Sequence, residues 1–398
     1  MKIAIVIEHF NPARGGAETY TAGLVGWLVA GGHDVTIFTQ DWVGEREQAT
    51  LVAVPTRGVS AARRYLSFST TASELVGQGD FDVVHSMARI LRLDVFHPHG
   101  GVMRASLERS LAATEGGLQR GLRRAARWLN TKSDVLLELE SILYTEDPPP
   151  RLVAVSQMVA DDMKRYYGID ESQVDVVYNG VDASRFSPET RATIGAGLRE
   201  ELGIGTDALL LLLVAHNYRL KGVEILIRVM AELVKRGGGN FKALVVGSKN
   251  PSQTVYPKLA EKLGVGDRVL FHPGVADIKR FYAAADVYFH PTFYDPMSLV
   301  VLEALGAGLP VITTRHNGCS EIMTDGQEGF CIDEPRDVDA LVERVGLLAD
   351  DDRRLAMSTA ARALALEFPL ERNYEGLMAV YLKAADQRRT EVTTRREP

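Results

Sequence analysis

The chain is poor in the groups that would announce several common chemistries. Its 398 residues hold two cysteines, Cys319 and Cys331, too few for a disulfide framework or a four-thiolate metal site. No apolar run approaches the ~20 residues of a bilayer-spanning helix; the longest contender, Ala208–Ala215, has the length of a strand. Neither a G-x-G-x-x-G fingerprint nor a phosphate-loop motif occurs, which counts against a nicotinamide or flavin enzyme and against a phosphate-loop NTPase. A net charge of −7 leaves no basic excess for general nucleic-acid binding. No two histidines show the spacing and acidic third ligand of a helical metal site, so no metal is expected. Met1–Val6 enters a strand with a single Lys2 and no cleavable apolar stretch, and the expectation is a reduced, cytoplasmic protein.

What is present is the composition of a globular enzyme, 46% hydrophobic and 24% charged, in a chain too long for one compact core. Strand and helix signals alternate from the start. Lys2–Ile7 is an apolar strand, a loop carries Gly15-Gly16, a helix covers Ala17–Ala30, and Asp34–Thr39 is the next strand. Further strands are expected at Leu51–Val54, Asp82–His85, Leu93–His97, Leu152–Val155 and Val174–Tyr178. The pattern restarts at Ala208–His216, followed by a helix at Gly222–Arg236 and strands up to Gly329–Ile332. Such alternation predicts α/β architecture with parallel sheets covered on both faces. The domains read as residues 1–185 and 186–370, with a Gly-, Ser- and Thr-rich linker near Ala183–Thr206, a last helix at 371–385 and a disordered tail at 386–398. Two doubly wound domains facing each other would leave a cleft at the carboxyl ends of their strands, where open α/β sheets bind ligands.

The most informative stretch is His290–Thr314. Leu299, Val300, Leu302, Leu305 and Ala307 make a helix apolar on most sides, which Gly308 and Pro310 stop. Asp295 falls just before this helix and Glu303 inside it. A carboxylate in such a helix is costly unless something satisfies it, and ligand hydroxyls can each donate to an ionised acceptor. Between the two acids, the free amides of Met297, Ser298, Leu299 and Val300 form an anion site. Acid, anion-binding turn and acid suit a sugar joined to a diphosphate.

A second constellation follows the first strand of the second domain. Arg219 and Lys221, with Gly222 opening a helix, place two cations beside that candidate diphosphate, where positive charge would stabilise a departing nucleotide; an exposed cationic helix start is the bland alternative. Gly15-Gly16 could admit close approach of a phosphate or sugar, or be only a turn. His85, His97 and His99 lie near strand ends of the first domain, and His99 is the favoured donor to a sugar, with His97 also open. His33 and His272 read as structural, and Asp350-Asp351-Asp352 as a solvated helix start. Leu118–Lys132 is the one strongly basic segment. Leu118, Leu122, Ala125 and Leu129 repeat at helical spacing opposite Arg120, Arg124 and Arg127. It could lie on an anionic membrane surface, be an ordinary solvated helix, or grip acceptor phosphates.

In order along the chain, Gly15-Gly16, His99, Tyr178-Asn179-Gly180-Val181-Asp182, Arg219 with Lys221-Gly222, and Asp295 to Glu303 resemble the motifs of the retaining family 4 glycosyltransferases of the GT-B fold. Within that family, Asn217-Tyr218-Arg219-Leu220-Lys221-Gly222 and the basic helix look most like bacterial lipopolysaccharide core glucosyltransferases. The resemblance implies two Rossmann-like domains across a cleft, with the last helix crossing back to the first. It implies a nucleotide-sugar donor, UDP-glucose for this chain, a lipid-linked or surface-glycan acceptor at the inner face of the membrane, and no cofactor or metal. Arg219 and Lys221 would hold the diphosphate, Glu303 the ribose hydroxyls, Asp295 and His99 the sugar, and Gly16 would let its loop close. Aspartate at 295 departs from the family's usual glutamate by one methylene and bears on the donor sugar. A sugar-nucleotide epimerase and a non-catalytic glycan- or membrane-binding protein are the rivals on the same architecture.

Overall fold

The computed structural model describes residues 1–44, 49–114, 131–146, 149–186, 188–237, 239–247, 254–275 and 277–394. It divides into two compact units, the first formed by Met1–Leu107, Gly116–Tyr178 and Glu371–Pro398, the second by Glu108–Glu115 and Asn179–Leu370.

The first unit is built on a parallel sheet of seven strands: β1 (Lys2–Val6), β2 (Asp34–Thr39), β3 (Thr50–Ala53), β4 (Val83–Ser86), β5 (Val95–Phe96), β6 (Arg151–Ala154) and β7 (Val174–Val176), ordered β3-β2-β1-β4-β5-β6-β7. Ile3, Ala4, Ile5 and Val6 are all fully buried, as a strand covered on both faces requires. The second unit repeats the plan with β8 (Leu209–Ala215), β9 (Phe241–Gly247), β10 (Val269–Pro273), β11 (Val287–His290), β12 (Val311–Thr314) and β13 (Gly329–Ile332), ordered β10-β9-β8-β11-β12-β13. Both are Rossmann-like. In each sheet the chain first winds outward one way and then returns to wind the other, so the switch points fall between β1 and β4 and between β8 and β11.

Three sequence readings change. The change of unit falls at Tyr178–Asn179 rather than at 185. Ala183–Thr206 is not a linker: a helix, Pro188–Glu201, fills most of it. Gly195 serves close packing rather than flexibility: a Cβ there would lie 2.4 Å from the Ala283 carbonyl oxygen. Arg199 then ties this helix to Asp286 at 3.2 Å. The last helix runs from Leu370 to Thr394, so the expected disordered tail from 386 is helical to that point. Arg388 explains the extension, donating from Nη1 to the Phe81 carbonyl at 2.9 Å and to Asp94 at 3.1 Å. The arginines of the basic segment Leu118–Lys132 lie outside the described residues. No helix among the described residues is long and apolar enough to cross a membrane.

Inside the first unit, Glu140 is fully buried on the helix Thr131–Thr145. It accepts from Arg89 Nη2 at 2.5 Å, from the Met103 amide at 2.9 Å and from the Tyr167 hydroxyl at 3.0 Å. Removing one partner of a buried pair strands the other charge, so Glu140→Ala is expected to cost about 3–5 kcal/mol. Denaturant unfolding of the variant measures this, and a loss below about 1 kcal/mol, the usual worth of an exposed pair, would contradict it.

Candidate functional site

Lys221 and Asp295 meet at the switch point of the second sheet. Lys221 lies in the turn that follows β8, and Asp295 in the segment that follows β11. The turn is fixed locally: the Lys221 amide donates to the Asn217 carbonyl at 3.0 Å and that of Val223 to Tyr218 at 2.9 Å. Gly222 caps the helix Val223–Lys235 with φ of 77°, a left-handed conformation that favours glycine. A Cβ there would also sit 2.2 Å from the Pro291 carbonyl oxygen. The two loops are stitched together where the Leu220 carbonyl accepts from the Phe293 amide at 2.8 Å and from the Thr292 hydroxyl at 3.1 Å.

Lys221 Nζ is 2.5 Å from Asp295 Oδ2, and His290 Nε2 is 3.1 Å from the same oxygen. Burial alone would raise the Asp295 carboxyl, yet Lys221 and His290 together hold it well below the usual carboxylate range. Burial pushes His290 down, with Asp295 only partly opposing. A neutral imidazole facing an ionised carboxylate must carry its proton on the facing nitrogen, because the carboxylate can only accept. The Asp295 backbone is fixed as well, its amide donating to the His316 carbonyl and its carbonyl accepting from Gly318, both at 2.9 Å.

The helix Leu299–Gly306 starts immediately beyond. Of the four amides expected to face an anion, Ser298 leans on Asn317 Oδ1 at 3.4 Å; those of Met297, Leu299 and Val300 have no acceptor among the described residues. Glu303, inside the helix, accepts from the Tyr282 hydroxyl at 2.9 Å. Burial raises its carboxyl, against that hydrogen bond and the nearby Arg185 charge. Arg219 is placed differently from Lys221: its Nη2 donates to Ser110 Oγ at 2.7 Å, and its Nε is buried without a partner among the described residues.

Gly15, Gly16 and His99 belong to the first unit. Gly15 caps the helix Gly16–Ala30 in a fully extended conformation, and a Cβ on it would meet only the flexible end of Glu18, so the fold itself does not demand glycine there. Tyr20 of that helix packs on His99 with ring centroids 4.2 Å apart. His97 is fully buried between His99 at 4.3 Å and His85 at 5.3 Å, and His85 Nδ1 is 2.7 Å from the Tyr381 hydroxyl of the last helix. His97 thus sits deeper than the half-buried His99. Neither nitrogen of His97, nor Nε2 of His99, has a partner among the described residues.

Several residues of the second site were given no positioning role by the sequence. Asn179 donates from Nδ2 to the Met297 carbonyl at 3.0 Å, giving the Asn-Gly turn a positioning role. Asn317 steadies Ser298 and accepts from the Cys319 amide at 3.1 Å. Tyr282 and His290 stand behind the two acids. The one available signal was a buried polar residue within an apolar strand or helix, and that pattern does not name its partner.

Fold and site define an α/β protein of two Rossmann-like units, the second carrying a buried Lys221–Asp295 pair just before a helix N-terminus. Comparison with known proteins agrees. "Glycosyltransferase Family 4" matches residues 14–185 and "Glycosyl transferases group 1" residues 197–364. The chain is 33% identical over 245 residues to the D-inositol 3-phosphate glycosyltransferase of Xylanimonas cellulosilytica, covering 60% of this chain and 58% of the relative. It is 26% identical over 364 residues to the lipopolysaccharide glucosyltransferase WaaG of Escherichia coli K12, covering 91% and 93%. A crystal structure of WaaG superposes with a TM-score of 0.77 at 25% identity, covering 96% of this chain and 98% of that one. The chain spans little more than half the length of the first curated relatives it matches, 58%, 56% and 52%. It belongs to the GT-B glycosyltransferases, with a family 4 domain followed by a group 1 domain.

The histidine cluster generates a pH prediction. Burial holds His85 down to about 3 and His99 down to about 4, and His97 well below its ordinary range. These groups stay neutral when folded, whereas in the unfolded chain each binds a proton near pH ~6.5. Their contribution is complete above that pH and declines as pH falls towards about 4, because the unfolded state then binds more protons. The melting temperature should therefore fall between pH 6.5 and 5, above the carboxylate range, and fall less in His97→Asn. An equal fall in that variant would contradict the assignment.

Proposed function

We propose that this chain transfers a hexose, glucose from UDP-glucose, to a hydroxyl of a lipopolysaccharide-core or other surface-glycan acceptor, with retention of anomeric configuration. The observation that carries the reading is the Lys221–Asp295 pair, 2.5 Å apart, shortly before the amides of Leu299 and Val300, which have no acceptor among the described residues, and before Glu303. In this reading Lys221 keeps one ammonium proton on Asp295 and offers another to the diphosphate, joined by Arg219 once it leaves Ser110. The helix N-terminus receives the remaining phosphate charge. Asp295 accepts from sugar hydroxyls and Glu303 from the ribose, while His99 and the Gly15-Gly16 loop belong to the same reaction from the first unit.

The bond between the sugar's anomeric carbon and the diphosphate oxygen breaks as the acceptor oxygen bonds to that carbon from the same face. The acceptor's proton passes to the departing diphosphate, so no protein nucleophile and no metal is invoked. Glucose and a glycan acceptor are supported by the printed activity of the Escherichia coli lipopolysaccharide glucosyltransferase WaaG, which aligns over 91% of the chain, as does a GDP-mannose-dependent mannosyltransferase of Mycolicibacterium smegmatis. Action at the cytoplasmic face of the membrane, with the basic segment Leu118–Lys132 against anionic lipid, is part of the same proposal.

Lys221→Ala tests it. UDP release from UDP-glucose should drop ~10²–10³-fold, the range for loss of one group that stabilises developing charge. Near-normal release by Lys221→Ala would overturn the assignment.

A further inference from the structure

Behind each of the two carboxylates stands a buried, uncharged donor. Tyr282, on the helix Lys279–Ala284, donates its hydroxyl to Glu303 Oε2 at 2.9 Å. His290, the last residue of β11, faces Asp295 Oδ2 at 3.1 Å. Both are fully buried. Tyr288 lies between them, 5.9 Å from the Tyr282 ring and 5.8 Å from that of His290, to which it is inclined by only 17°. Tyr288 and His290 are two positions apart on the strand, and so share one face of the sheet. Three buried rings thus run in a row from one carboxylate to the other.

The hydrogen bonds divide each carboxylate in the same way. Asp295 Oδ2 takes both Lys221 and His290, and Glu303 Oε2 takes Tyr282. Neither Asp295 Oδ1 nor Glu303 Oε1 has a hydrogen bond among the described residues. Each acid has one oxygen anchored from within the protein and one left to accept from a ligand hydroxyl.

We propose that Tyr282 and His290 are positioning residues of the sugar-nucleotide site, Tyr282 orienting Glu303 towards the ribose and His290 orienting Asp295 towards the sugar, with Tyr288 setting the separation. This rests on the functional reading above. It separates two roles that a simple loss of packing would not separate. Losing the donor behind Glu303 weakens nucleotide binding, whereas losing the donor behind Asp295 slows the reaction of bound donor.

The test uses the full chain with Tyr282→Phe, His290→Asn and His290→Gln. Affinity is measured by calorimetry with UDP, or GDP if the wild type prefers it, and turnover by release of that nucleotide from its glucose or mannose conjugate. Tyr282→Phe should weaken nucleotide binding about tenfold, the scale of a hydrogen bond to a charged group, with kcat within about twofold. His290→Asn, whose amide falls short of Asp295, should lower kcat ~10-fold or more with nucleotide affinity retained. His290→Gln, whose amide nitrogen can occupy the Nε2 position, should recover most of that loss. Wild-type behaviour in all three variants, or parallel losses of affinity and kcat in all three, would overturn the positioning roles while leaving the functional reading intact. A wild-type chain that neither binds nor consumes a sugar nucleotide would overturn both.

Discussion

A carboxylate with 7% of its surface exposed survives as an anion only if opposite charge and hydrogen bonds offset a desolvation cost of several kcal/mol. Asp295 meets that condition through Lys221 and His290, and the second unit is arranged around keeping them there. Lys221 is held by a turn that only glycine at 222 can complete, and His290 by the end of a fully buried strand. The pair lies where the chain reverses its winding direction, at the carboxyl ends of the neighbouring strands β8 and β11. Topology brings the charges together, and hydrogen bonds from Thr292 and Phe293 to Leu220 keep the loops in register.

This arrangement also explains why the helix Leu299–Gly306 can end its first turn without internal caps. Ser298 makes no capping bond to the helix that follows it, which leaves the leading amides available to an anion. Support comes from outside the helix, through Asn179 on the Met297 carbonyl and Asn317 on the Ser298 amide. The acid, the amides and the second acid follow one another along the chain into a helix whose other residues are almost all apolar. In the first unit the last helix plays a comparable supporting part: Tyr381 bonds His85, and Asn373 accepts from the Tyr20 hydroxyl at 2.7 Å, fixing the rings on which His99 rests.

The fold was legible in the sequence wherever burial was complete. Strands such as Ile3–Val6 and Leu209–Leu213 read as unbroken apolar runs because both faces are covered, and their alternation with helices dictated parallel sheets. Lys221, Asp295 and Glu303 were legible as candidates because charge beside glycine and apolar helix is expensive without a purpose, and the structure sets Lys221 against Asp295. The supporting residues were not, since Tyr282, His290, Asn179 and Asn317 act through contacts that spacing along the chain cannot reveal. The helix at Pro188–Glu201 was lost for a related reason: Gly195 looks like flexibility in a composition count and serves close helix packing in three dimensions. Helix beyond Ala385 was missed because its anchors, Phe81 and Asp94, lie about 300 residues away in the chain.

The central claim is that the Lys221–Asp295 site holds a nucleotide sugar. Thermal unfolding of the wild-type chain against UDP, GDP, ADP and their sugar conjugates tests it directly. A ligand at one hundred times its dissociation constant adds ~2.7 kcal/mol to the native state, enough to raise the melting temperature by about 5–11 °C for a domain of this size. The account predicts such a rise with UDP and UDP-glucose; a rise confined to another nucleotide would keep the site and change the donor. No rise with any of these ligands would contradict the claim.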